Sequence, residues 1–119
     1  MKRMEITIIK QPITRKDLIE FAQDGFGDVV KAVVDVEQGI MALNGELHAD
    51  EEVVLSEQEC SKREHTWGIN LYPEKSGDDW IEFNSLINIK PAFGNRSRGV
   101  EDVGIRERIK EIVHKLIID

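Results

Sequence analysis

The stretch "GNRSRG", Gly94 to Gly99, carries the densest chemistry in the chain. Its glycines bracket Asn95, Arg96, Ser97 and Arg98, so flexible backbone N–H groups, a hydroxyl and paired guanidinium forks stand together just before a helical segment. Those are the ingredients of a cradle for a phosphate or a carboxylate. Glu101 and Asp102 stand at the start of the same helix, where they favour its macrodipole and compete with an outside anion. Neither a GKS or GKT ending nor a GxGxxG pattern is present, so no nucleotide cofactor is implied.

A second cluster is "ELHADEE". Read as an extended segment, it projects His48, Asp50 and Glu52 to one side, a trio of metal-ligand types. A transition metal would welcome a second imidazole, but His65 falls about eight positions away along the strand, on the order of 26 Å at the usual rise. The trio therefore reads as a solvated acidic strand or turn, and no metal is expected. His48 with Glu46 or Asp50 has the residue types for proton transfer, which gives a second reading: a hydrolase or isomerase built on that pair.

The third feature is a polar sheet face. Asn70 and Glu82 are expected as cross-strand neighbours, Asn84 beside Gly68, and Asn88 continuing the row, with Glu46 and His48 joining if their strand lies alongside. Amides on strands run against β-propensity, so a ligand surface, a subunit interface or plain solvation has to account for them. Trp67 shares the apolar phase and belongs to the core, whereas Trp80 and Tyr72 are expected to pair on the other face. Cys60 lies in the polar "SEQECSKRE" with no adjacent histidine and reads as a bystander.

Composition narrows the partners. With 119 residues, 40% hydrophobic and 33% charged, the chain reads as one folded domain spanning residues 1–119. A net charge of -7 disfavours nucleic acid unless basic groups cluster. A single cysteine, no secretory leader and no apolar run of about 18 residues suit a reduced, cytoplasmic protein with no membrane partner.

Periodicity supplies the elements that position these groups. "EITIIK" suits a strand stopped by Pro12, and Thr14 with Asp17 forms a capping box for a helix that ends near Asp24, where "DGFGD" begins to break it. The valine-rich 29–36 run and "IMALNGEL" read as a hairpin through "EQG", and "EEVVLSE" as another short strand. "HTWGINLYP" and "DWIEFNSLINIK" alternate strictly, which predicts Leu71 opposite Ile81 and Ile69 opposite Phe83. Ile105, Ile109, Ile112, Val113 and Leu116 form the apolar stripe of a last helix. The sum is an α+β fold: an antiparallel or mixed sheet of about five to six strands with two helices packed on one face.

In order, "GELHADEE", "WGINLYP", "DWIEFNSLINIKP" and "GNRSRGVED" resemble a small bacterial and archaeal family known only as a domain of unknown function. The resemblance spans about Ile8 to Leu116 and brings no activity or catalytic residue with it. The leading expectation is thus a module binding a small anionic or phosphorylated ligand, with Asn95, Arg96, Ser97 and Arg98 supplying charge and donors. Asn84, Asn88, Glu46 and His48 complete the candidate site. A homodimer formed through the sheet face or an open strand edge is the remaining reading.

Overall fold

A computed structural model describes residues 5–119. Strand β1 (Thr7–Ile9) stops short of Pro12, and a two-residue strand, β2 (Ile13–Thr14), leads directly into helix α1 (Arg15–Asp24). The capping box is formed as the sequence predicts: Asp17 N–H donates to Thr14 Oγ1 at 3.0 Å, and Thr14 N–H donates to the Asp17 carboxylate at 3.0 Å.

The valine-rich run folds as the expected hairpin of β3 (Val30–Asp35) and β4 (Ile40–Leu43). Its turn is held by the Asp35 carboxylate, which accepts the N–H groups of Glu37 and Gln38. Gly39 completes the turn at φ 70°, a conformation most side chains avoid. Strand β5 (Thr66–Leu71) pairs with the far side of β3, and a short β6 (Ile81–Glu82) pairs with β5. The order β1-β4-β3-β5-β6 is antiparallel throughout.

Alternation then sorts the side chains. Val30, Ala32 and Val34 share a face with Met41, Leu43, Trp67, Ile69 and Leu71, and that face is buried under α1 and α3 (Val103–Leu116). The stripe Ile109, Ile112, Val113 and Leu116 is buried as its spacing requires. Asp102 caps this helix by accepting from Ile105 N–H, and β7 (Ile117–Ile118) pairs in parallel with β2, tying the end of α3 to the start of α1. The fold is α+β, with two helices on one sheet face.

A third helix corrects the reading of residues 48–59. The expected strand "EEVVLSE", and the extended form of "ELHADEE" before it, are together α2 (His48–Glu59), which lies on the opposite sheet face with Leu55 against Val33, Ala42 and Ile87. Its inward positions are His48, Glu51 and Leu55, spaced i, i+3, i+7. Because two of the three are polar, the chain carries no apolar helical stripe there, and the adjacent Val53 and Val54 imitate a strand.

The β5–β6 ladder also ends sooner than alternation predicts. Leu71 faces Ile81 and Asn70 faces Glu82, but Phe83 lies beyond the paired residues. Ser85 Oγ accepts Ile87 N–H and starts a 3₁₀ turn over Leu86–Asn88, so Ile87 packs in the second core beside Leu55 rather than on the oily face. Trp80 is a further correction, since it packs in the main core with Tyr72 against it.

Candidate functional site

Only part of the second sheet face lies under α2. Val33 and Ala42 sit beneath Leu55, while the polar positions Lys31 of β3 and Asn70 of β5 are register partners. Beside the N-terminus of α2 this leaves a hollow of about 280 Å³. Its polar wall is Lys31, His48, Asn70, Asn84, Ser85 and Arg98; Leu47 and Leu86 stand among its apolar lining.

Arg98 reaches the hollow because the chain around it is stapled. Its carbonyl accepts from Ser85 N–H at 3.0 Å and from Asn88 Nδ2 at 2.9 Å, and its own Nε donates to Asn84 Oδ1 at 2.9 Å. The Nη groups of its fork have no hydrogen-bond partner among the described residues. Asn88, 0% exposed, grips Gly68 by both N–H and C=O at 2.8 and 2.9 Å. Asn95 Nδ2 donates to the carbonyls of Asn88, Ser97 and Gly99, while its Oδ1 accepts Glu101 N–H. Lys90 Nζ donates to the carbonyls of Arg63 and Thr66, tying the same segment to the start of β5.

The cradle expected in "GNRSRG" forms, but around an internal anion. Glu101 Oε2 accepts the N–H groups of Arg96 and Ser97 at 2.7 and 2.9 Å, and these two bonds hold its carboxyl below the usual range. Arg96 and Ser97 are exposed and lie outside the hollow. Of the residues expected to act together, the structure therefore gathers Asn84, Arg98 and His48. It assigns Asn88 and Asn95 to the scaffold and leaves Glu46 exposed outside the hollow.

His48 occupies the first turn of α2, 9% exposed, with Nε2 2.8 Å from the Ile69 carbonyl. A carbonyl only accepts, so Nε2 carries the proton and Nδ1 keeps its lone pair in the neutral ring. Burial lowers the pKa of the imidazole; the Ile69 carbonyl and the Asn70 side chain oppose that, and the charges of Lys31 and Arg98 add to it. His48 is accordingly neutral at pH 7. Its former strand neighbours disperse on the helix. Glu52 accepts from Thr66 Oγ1 at 2.7 Å and pairs with Arg63 at 3.0 Å, while Asp50 is exposed. Among the described residues no group of three or more His, Cys, Asp or Glu side chains is placed to hold a metal ion.

Gly68 is the floor. A Cβ there would lie 2.6 Å from both Cβ and Oγ of Ser85 and 3.2 Å from Cδ2 of His48. Ser85 is fixed by its own hydrogen bonds and has little room to withdraw. Gly68→Ala is expected to destabilise the fold by about 1–3 kcal/mol through overpacking and to displace both wall residues. Chemical unfolding, together with the ring resonances of His48, would register both effects; an unchanged midpoint and spectrum would contradict the close approach.

Lys31, Asn70 and Ser85 complete the wall. The sequence reading placed Asn70 on the polar face but overlooked Lys31, although alternation within β3 puts it in phase with Val33 and Asp35 and opposite to Val30 and Ala32. Ser85 carried no signal, because it enters only when the ladder breaks after Glu82.

No helix among the described residues is long and apolar enough to cross a membrane. Neither a curated protein nor a solved structure gives a significant match to the chain. A family model covers residues 7–116, and on that match the chain belongs to DUF5674, a family of proteins of unknown function.

Proposed function

We propose that the protein binds a small anionic ligand in the hollow at the N-terminus of α2, with Lys31 and Arg98 supplying charge and the free N–H groups of the Asn84 amide orienting it, while the neutral His48 ring forms part of the wall. One observation carries this reading: two permanent cations converge on a hollow whose lining includes no carboxylate, in a chain with net charge -7. Among the described residues neither cation makes an ion pair. Lys31 Nζ lies 5.1 Å from the Phe26 ring centroid, but neither cation meets a carboxylate in the hollow, and such charge beside a partly enclosed space favours an anion from solution. The first N–H groups of α2 add to this field, because Leu47 at the cap position offers no side-chain acceptor.

Charge-assisted hydrogen bonds contribute about 1.5–3 kcal/mol each, so removing one cation should weaken binding about ten- to hundredfold. Titrations with inorganic phosphate and with acetate at low ionic strength test this in the wild type, Lys31→Ala and Arg98→Ala. Affinity that falls in both variants, and falls with added salt, is the expected result. Affinity unchanged in both variants would refute the reading.

Acid–base catalysis by His48 is the second reading, favoured by its neutral, carbonyl-oriented ring in the hollow. Glu46 and Asp50 are absent from the hollow's lining, so His48 would act without them. A reaction lost in His48→Gln with the fold retained would support it.

A further inference from the structure

The hollow is only half polar. Leu47 is 56% exposed and Leu86 66% exposed, and both side chains line it, along with Ala49 and the better buried Ile87. Leu47 stands at the N-cap of α2, a position that serine, threonine, aspartate or asparagine stabilises better. The chain thus forgoes a helix cap and exposes two leucines beside the hollow that holds both Lys31 and Arg98.

Resting on the anion-binding reading above, we infer that the ligand is an amphipathic organic carboxylate, its charged end between Lys31 and Arg98 and its compact apolar body against Leu47, Leu86 and Ile87. The volume sets its size. A space of about 280 Å³ equals roughly nine water molecules of liquid, enough for a carboxylate carrying about five to eight carbons. A bare oxyanion such as phosphate would satisfy the cations and leave the leucines wet. A long acyl chain would outrun the hollow.

The test is a titration series at fixed pH and ionic strength with acetate, butyrate, hexanoate, decanoate and inorganic phosphate. Each buried methylene should tighten binding about fourfold as far as hexanoate, with no comparable gain from hexanoate to decanoate. Leu47→Ala and Leu86→Ala, both at exposed positions and neither introducing a helix cap, should flatten this dependence. If acetate, phosphate and hexanoate bind equally and all depend on Arg98, the carboxylate-with-body inference is overturned while anion binding stands. If no probe binds in an Arg98-dependent manner, both fall.

Discussion

Asn88→Ala is expected to lower the stability of the protein by about 4 kcal/mol, because it leaves several buried backbone groups unpaired at once. In melting temperature this is a loss on the order of 15 °C. The reason lies in the early end of β6. Strand β5 continues past it, and the Gly68 N–H and C=O on that side have no strand to meet. The Asn88 side chain supplies one acceptor and one donor to that residue, doing with an amide what a neighbouring strand does with its backbone. Its remaining N–H holds the Arg98 carbonyl. Asn88→Asp keeps the shape but offers only acceptors when ionised, so it should fail nearly as badly. Urea unfolding of both variants measures the effect; a change below about 1 kcal/mol in Asn88→Ala would show that water replaces the amide there.

Glu51 gives the second large effect, and it has the opposite sign. The side chain is 0% exposed, Oε2 accepts Gly45 N–H at 2.9 Å, and Oε1 has no partner. Gly45 permits that approach, since a Cβ there would fall 2.7 Å from Glu51 Cγ. Burial raises the carboxyl well above its usual pKa, with the Gly45 N–H and the Lys31 charge opposing it. A carboxyl raised on folding binds its proton more tightly in the folded state. Its stabilising contribution is therefore full below the ordinary value of 4.5 and is lost as pH climbs through the folded value. Glu51→Gln removes the titration, so the variant should match the wild type near pH 4 and become progressively more stable than it as pH rises toward 8. Stability curves for the two proteins that run parallel across that range would contradict a Glu51 carboxyl raised on folding.

The same contrast between local pattern and long-range partnership separates what could be read from the sequence from what could not. The box at Thr14 and Asp17, the β3–β4 turn and the stripe from Ile109 to Leu116 depend on neighbours within a few residues, and each is present as expected. Helix α2 was illegible because it buries His48 and Glu51, whose places are set by Ile69 and Gly45 rather than by periodicity. In "GNRSRG" the backbone N–H groups of Arg96 and Ser97 meet the Glu101 carboxylate, which lies close enough in sequence to reach them. Arg98 escapes only because Asn84, Ser85 and Asn88, from ten to fourteen residues earlier, turn it toward the hollow. Those contacts exist once β6 is cut short, and no alternation announces that.

The most direct test is a proton NMR titration of the His48 ring, one of three histidines in the chain, without ligand and with saturating hexanoate at matched ionic strength. Without ligand the midpoint should fall below the ordinary 6.5, and Arg98→Ala should raise it by removing a nearby positive charge. An anion seated between Lys31 and Arg98 offsets their charges, so the midpoint should rise on binding, and affinity should strengthen as pH falls through that interval. A His48 midpoint that stays the same with and without the anion would contradict the placement of the ligand in this hollow.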